Sequence, residues 1–232
     1  MRPLKFVTWN VHKCVGRDGR FDPERIVSVL AELEADVVAL QEADARFGRR
    51  HGLLDDALLA RHGLRRLEVC GNTEASHGWC GNVLLVSSRV QASRATAVVM
   101  PGLEPRGALV ADMVLPGGKD WRVVSCHLGL LPGCRRRQVE EVTKHLLRHR
   151  TGDALLMGDT NEWRRDSSPR SALHGMTALG LRGRRTATFP SLLPILGLDR
   201  ILASRPGYFA TPRGADSRMA SDHIPLVMEC AA

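Results

Sequence analysis

The feature that most constrains this chain is a set of short apolar runs that each stop at a polar group. Phe6-Val7-Thr8-Trp9 runs into Asn10, and Asp36-Val37-Val38-Ala39-Leu40-Gln41 runs into Glu42. Val124-Ser125-Cys126 ends at His127, and Leu155-Leu156-Met157 ends at Gly158-Asp159, with Asn161 in the same loop. Asp199-Arg200 opens a further run, and Ser221-Asp222-His223 precedes Ile224-Pro225-Leu226-Val227. Runs this short, bounded by polar and turn residues, predict buried strands, because a buried helix needs about ten residues or more. Loops held on rigid strands are where catalytic groups concentrate.

Further strands are predicted at Leu64–Cys70, Asn82–Ser87, Ala92–Met100, Ala108–Leu115, Arg122–His127, Asp153–Met157, Asp199–Ala203, Tyr208–Thr211 and His223–Cys230. Pro116-Gly117-Gly118-Lys119 is a hairpin signal. Asp22-Pro23-Glu24 starts a helix, with a capping acid, proline in the first turn and a carboxylate at the positive dipole end. A weaker helix covers about Leu53 to Arg61, a longer one runs from Pro132 to His149, and Arg170–Leu179 reads as helical. Many strands with few helices predict an α/β fold of two packed sheets flanked by helices, not a doubly wound parallel sheet. An internal echo supports two similar lobes: each half has a helix followed by an apolar strand ending in an acid, Glu42 and Asp159. The 232 residues are read as one domain, 1–232.

Charge narrows the partners. The chain carries 33 Lys+Arg against 25 Asp+Glu, a formal +8 at pH 7, and only Lys5, Lys13, Lys119 and Lys144 are lysines. A positive field favours phosphate-bearing partners, and nucleic acid is a plausible one. With aromatics at 4%, the charge points to phosphate more than to stacked bases. No apolar run reaches the ~18 residues needed to span a bilayer, and no secretory leader is visible at the start. None of the six cysteines forms a C-x-x-C pair, so a zinc ribbon or dithiol motif is unsupported. A reduced, cytoplasmic setting is expected, and no protein partner is inferable.

The polar groups themselves suggest the chemistry. Oxygen ligands without cysteine suit a hard cation, Mg2+ or Mn2+, with Glu42 and Asp222 as carboxylates and Asn10 nearby. Asp159 and Asn161, two apart on one loop, can orient a water for in-line attack on phosphorus. His127, His223, Asn10 and Arg106 can bind phosphoryl oxygens. Asp199 can fix the His223 imidazole and stabilise its protonated form.

The segments Thr8-Trp9-Asn10-Val11, Leu40-Gln41-Glu42, Cys126-His127-Leu128, Gly158-Asp159-Thr160-Asn161, Leu198-Asp199-Arg200-Ile201 and Ser221-Asp222-His223 come in one order across residues 8 to 223. Together they resemble the endonuclease/exonuclease/phosphatase superfamily. The resemblance implies a four-layered α/β sandwich, Mg2+ dependence and phosphoester hydrolysis. It implies Glu42 as principal metal ligand, with Asn10 and Asp222 close to metal or phosphate. It further implies Asp159 and Asn161 as the water-positioning and phosphate-binding pair, and Asp199 with His223 as an acid–imidazole dyad. His127 matches the second histidine of the deoxyribonuclease-like branch, and Arg106 sits where that branch has a phosphate-contacting arginine. His12 stands where apurinic endonucleases have an acid.

Residues bearing on substrate are Asn82, beside His77 and Trp79, then Trp163 and Arg164. Six arginines lie between Arg164 and Arg185 and are expected to rim the cleft and meet distal phosphates. The expected activity is a phosphodiesterase acting as a nuclease. A phosphatase or phospholipid-type diesterase is the alternative, and a non-catalytic phosphate-binding scaffold is the reading from another class.

Overall fold

The computed structural model describes residues 2–45, 51–70, 76–92, 94–148, 152–212 and 214–232. Its strands in chain order are β1 (Leu4–Asn10), β2 (Val37–Gln41), β3 (Leu64–Arg66), β4 (Glu68–Cys70), β5 (Val83–Ser87), β6 (Gln91–Ala92) and β7 (Arg94–Val99). They continue with β8 (Gly107–Leu115), β9 (Lys119–His127), β10 (Asp153–Asp159), β11 (Asp199–Ala203), β12 (Tyr208–Ala210) and β13 (Leu226–Cys230). The α-helices are α1 (Pro23–Leu33), α2 (Asp56–Arg61), α3 (Pro132–Leu147) and α4 (Ala215–Met219). One sheet has the order β12-β13-β1-β2-β5-β3, and the other β11-β10-β9-β8-β7-β4, with β6 paired to β8.

Strand alternation assigns the layers. Phe6, Val37 and Ala39 point between the sheets and meet Leu109, Val123, Leu155, Met157 and Ile201 from the other one. Their neighbours Val7, Trp9, Val38 and Leu40 point outward and pack under Ile26, Val27 and Leu30 of α1 and Leu59 of α2. On the second sheet Val124, Leu156 and Leu202 point outward against Val139, Val142 and Leu146 of α3. Each strand near the centre is thus buried on both faces, which is why these segments read as nearly continuous apolar runs. The order is helix, sheet, sheet, helix, as expected.

The echo between the halves has a structural counterpart. β1 pairs parallel with β2 with α1 between them in sequence, and β9 pairs parallel with β10 with α3 between them. Asn10 lies opposite Gln41 at the end of the first pair, and His127 lies opposite Asp159 at the end of the second. β11 then runs antiparallel to β10 with Asp199 opposite Asp159. Register alone therefore gathers the polar strand ends at one end of each sheet.

Four predicted elements differ. The expected strand Leu64–Cys70 is two strands in different sheets: β3 pairs with β5 and β4 with β7. The change of sheet occurs at Leu67, whose side chain is buried in the intersheet core and whose N–H donates to Leu84 O. Residues 170–179 form turns with only a short 3-10 helix at Thr177–Leu179. There, Glu162 and Ser171 side chains take the Ala172 and Leu173 N–H groups, which competes with a helical ladder. The last strand begins at Leu226, leaving Ser221–Pro225 as irregular backbone. The helix expected from Leu53 starts at Asp56 because Asp55 caps it, accepting from Leu58 N at 2.7 Å. α3 matches its expected start, and His149 lies outside the described residues. All six cysteines are unpaired, and no described helix is long and apolar enough to cross a membrane.

Candidate active site

Asn10, at the end of β1, joins the two sheets. Its Nδ2 donates to Asp159 Oδ2 at 3.0 Å and lies 3.5 Å from Glu42 Oε1, while its Oδ1 accepts from His12 N. Its carbonyl takes the Ser221 hydroxyl at 2.7 Å, and Trp9 Nε1 donates to His223 O at 2.9 Å. The first sheet thereby holds the Ser221-Asp222-His223 loop by backbone and indole contacts rather than by the functional side chains.

Glu42 follows β2 with a left-handed backbone (φ 54). Opposite it, His12, Lys13 and Cys14 all have positive φ, a tight turn fixed by the Lys13 N–H on Glu42 O. This turn sets the Lys13 ammonium on Glu42 Oε2 in a close ion pair. Burial works to raise the Glu42 pKa, but Lys13, then His127 and Asn10, hold it below its usual value.

Asp159 ends β10 and is 2% exposed. Besides Asn10 it accepts from Asn161 N at 2.9 Å, and its Oδ2 lies 3.5 Å from His127 Nε2 and 3.8 Å from His223 Nε2. Burial opposes ionisation, yet the two histidines and these donors keep the carboxyl below its usual value. The residue before it must be glycine. Gly158 has φ 150, and a Cβ there would stand 1.8 Å from Cys126 O across the parallel pair. Asn161, with φ 49, donates its Nδ2 to Leu128 O at 2.9 Å, which ties the loop after β10 to the loop after β9.

The two histidines are held in opposite states. His127 is pushed down to about 4 by burial and by Arg106, whose Nη1 lies 2.8 Å from Nε2, so the ring is neutral at pH 7. His223 is also disfavoured as a cation by burial, but Asp199, Asp159 and Asp222 raise it to about 10. Asp199 makes the decisive contact at 2.8 Å from Nδ1, and the Thr188 hydroxyl donates to the same carboxylate oxygen. Phe189 packs on the imidazole with centroids 4.9 Å apart. Pairs of titratable groups pushed apart in this way mark acid–base sites. Asp222 sits one residue earlier, its Oδ1 3.4 Å from Ser221 Oγ.

The structure therefore brings Asn10, Glu42, His127, Asp159, Asn161, Asp199 and His223 into one contact network, with Asp222 beside it. Arg106 joins through His127, and its other guanidinium nitrogens are bound to Glu104. Three expected substrate-side residues make other contacts. Asn82 is fully buried and donates to Gly107 O and Trp79 O, bracing the turn that packs Gly81 against Glu42. Trp163 is half exposed and carries the Arg164 guanidinium over its ring at 4.7 Å. Arg164 also pairs with Glu162 at 3.2 Å.

Sequence reasoning assigned no role to Lys13, Thr188 or Arg200. Lys13 carried one signal: it is a lysine in a chain whose cations are nearly all arginine. Arg200 is fully buried and binds Asp166 at 3.1 Å and the carbonyls of Gly197, Glu162, Arg164 and Asp199. It pins the segment after Asn161 to β11.

Among the described residues, Asp159, Asp199 and His223 each offer one ligand atom within 4.8 Å of the others. Around Glu42 and Asp159 stand carboxylates, the Asn10 amide and the His127 and His223 imidazoles. The neighbouring thiols Cys14 and Cys126 are pushed by burial up to about 12, so they stay protonated.

Comparison with known proteins bears on the fold and the family. The chain is 28% identical over 257 aligned positions to "Uncharacterized protein YbhP" of Escherichia coli (strain K12), covering 97% of this chain and 95% of that protein. An endonuclease/exonuclease/phosphatase from Beutenbergia cavernae superposes with a TM-score of 0.72 at 25% identity, covering 99% of this chain and 71% of that one. D. rerio TDP2 complexed with single strand DNA product shares the fold, with a TM-score of 0.67 at 18% identity and 98% of both chains covered. The family model described as Endonuclease/Exonuclease/phosphatase family matches residues 7–223, which contain every strand end described above, and the chain belongs to that family.

Proposed function

We propose that this chain is a divalent-metal-dependent phosphodiesterase whose substrate is a nucleic acid strand, and that residues 1–232 form one catalytic domain working in the cytoplasm. The observation that carries the proposal is the position of Asp159 Oδ2, within 3.8 Å of Asn10, His127 and His223 while Asp199 keeps His223 cationic. The family is generally metal dependent. The donor set fits a hard cation, being oxygen-based with the nearby thiols protonated. Glu42, with Asp222 and Asn10, would hold Mg2+ or Mn2+. The ion would supply positive charge to a phosphoryl oxygen. Glu42 is paired with the Lys13 ammonium, so its carboxylate is already set against positive charge.

The remaining chemistry belongs to the chain. Asp159, ionised and held by Asn10 and Asn161 N, accepts a hydrogen bond from the attacking water and takes its proton. The water oxygen forms a bond to phosphorus as the opposite P–O ester bond breaks, giving a phosphomonoester and an alkoxide that takes a proton from solvent water to leave as an alcohol. The His223 imidazolium donates Nε2–H to a phosphoryl oxygen as negative charge grows there. Asp199 fixes the ring orientation through Nδ1. His127, neutral and set against Arg106, binds a second oxygen.

The basic charge and the shared fold with a structure holding single strand DNA support a nucleic acid substrate. Six unpaired cysteines support a reducing compartment. A phospholipid-type diester is the second reading, favoured by Leu192, Leu193 and Ile195. These are exposed on the loop that follows Phe189 beside His223. The test is a panel of aryl phosphodiester, oligonucleotide, plasmid DNA and phospholipid with Mg2+ or Mn2+, comparing the protein with Asp159→Asn and Glu42→Ala. Hydrolysis confined to the unmutated chain is expected. Full activity in either variant sinks the assigned site.

A further inference from the structure

Away from the catalytic cluster, a pocket of about 540 Å³ opens beside the outer end of β11. Its floor is apolar, made by the buried side chains of Met176, Leu181 and Leu202. Its rim carries Arg165, Arg182 and Arg185, all exposed. Asp166 also lines it, but that carboxylate is taken by Arg200 at 3.1 Å. Among the described residues, the three rim guanidiniums make no ion pair or side-chain hydrogen bond. Some arginines elsewhere are paired, Arg25 with Asp18, Arg66 with Asp56, Arg122 with Asp112 and Arg164 with Glu162, whereas these three converge on one concavity without a partner. Cations converging on one concavity repel one another, and no free carboxylate offsets that repulsion here.

The pocket is joined to the site by one stretch of chain. Arg182 exchanges backbone hydrogen bonds with Ala203 at the outer end of β11. From there residues 182–188 follow β11 back to Thr188, whose hydroxyl binds Asp199. Gly183 is set against Ile201 O and Leu202, and Arg185 and Thr186 against Gly197. β11 has four residue steps from Asp199 to Ala203, about 13 Å at ~3.3 Å per step. A nucleic acid strand that reaches from one end of β11 to the other therefore runs past the scissile phosphate.

We infer that this pocket is a distal subsite for a single nucleic acid strand: Arg165, Arg182 and Arg185 bind backbone phosphates beyond the scissile one, and the apolar floor receives a base or sugar. The inference rests on the phosphodiesterase function proposed above. The pocket's volume lies in the range of sites that enclose a small ligand, roughly 300–1,000 Å³. The strand is favoured over a compact phosphate ester because Arg182, beside Ala203, stands about the length of β11 from Asp199, while Arg185 lies nearer, against Gly197.

The test measures binding by fluorescence anisotropy in the Asp159→Asn chain with Mg2+, using labelled single strands of about three and about twelve nucleotides. Arg165→Gln/Arg182→Gln/Arg185→Gln is expected to weaken the longer strand about tenfold, and to lower its salt slope by about 2, at ~0.7 for each phosphate no longer neutralised. Affinity for the shorter strand should not move. The triple Arg→Lys variant should retain most of the affinity for the longer strand. Unchanged affinity for the longer strand overturns the subsite, and so does an equal loss for both lengths. If the arginines instead govern binding to anionic lipid vesicles and not to the strand, the assignment to nucleic acid is overturned. Should the three Gln changes together unfold the chain, Arg182→Gln alone is measured against the same outcomes. Failure of the unmutated protein to cleave any phosphodiester would sink the functional proposal and leave these binding comparisons intact.

Discussion

Replacing Arg200 by methionine should unfold the chain more readily than loss of any surface arginine, and the reason is countable. The guanidinium is fully buried and binds Asp166 and four carbonyls, those of Gly197, Asp199, Glu162 and Arg164. Methionine fills similar volume but donates nothing. Asp166 is partly exposed and can turn to water, whereas the Gly197 and Glu162 carbonyls face a buried donor. Breaking a buried charged network by removing one partner costs about 3–5 kcal/mol. At roughly 2–4 °C per kcal/mol for a chain of this size, the midpoint should fall by about 6–20 °C. Arg200→Lys keeps the charge but loses the planar fork, so its cost should lie between those of the parent and of methionine. Urea unfolding followed by far-UV CD and by tryptophan fluorescence measures both variants and checks two-state behaviour. A loss below about 1 kcal/mol for Arg200→Met, or a Lys variant no better than Met, would refute the account of the network.

Asp159→Asn keeps the shape and the contact with Asn10 but removes the proton acceptor, so turnover should fall about a hundredfold or more with an unchanged melting midpoint. Enzyme assay and calorimetry on the same preparation check it. Glu42→Gln should weaken Mn2+ binding, read directly by isothermal titration without any substrate; equal affinity would remove Glu42 from the ligand set. Gly158→Ala places a Cβ against Cys126 O at a backbone angle unfavourable to alanine, and should destabilise by about 2–5 kcal/mol in urea unfolding. A thiol reagent at pH 8 should modify exposed Cys70 quickly, while Cys14 and Cys126 react only on unfolding, because burial raises both to about 12.

The strand ends were legible because each functional residue stands where an apolar run must stop, and parallel register does the rest. Asn10, Glu42, His127 and Asp159 follow from that logic. Leu67 does not: a single alternating stretch looks the same whether it stays in one sheet or crosses to the other, and only the partners β5 and β7 decide it. Arg200 reads in sequence as a polar residue at a strand start, because its burial depends on carbonyls contributed from residues 162 to 164 and 197 to 199. Lys13 was hidden for a similar reason. Its reach to Glu42 depends on three consecutive left-handed residues, none of them glycine. Arg164 and Trp163 were expected to face substrate because they follow Asn161 closely, yet Glu162 competes for the guanidinium within the same turn.

The net charge of +8 hides an opposite local balance, and that balance bears on the cofactor. Glu42 and Asp159 are held below the usual carboxylate range and Lys13 sits on Glu42, while burial pushes Asp199 up and its carboxylate is engaged by His223 Nδ1 at 2.8 Å. Arg106 adds nothing net, being paired with Glu104, and His127 is neutral. A buried carboxylate such as Asp159 is costly to ionise without positive charge nearby, and a divalent cation would offset that cost. Were the cluster instead satisfied by side chains alone, Glu42 and Asp159 would each need a dedicated cation, but Asp159 has amides and histidines where a lysine or arginine would otherwise stand. The same reasoning separates the arginines. Arg106 is paired with Glu104, and Arg135 and Arg164 share Glu162, whereas Arg165, Arg182 and Arg185 around the pocket have no ion-pair partner among the described residues and are open to a substrate long enough to reach them.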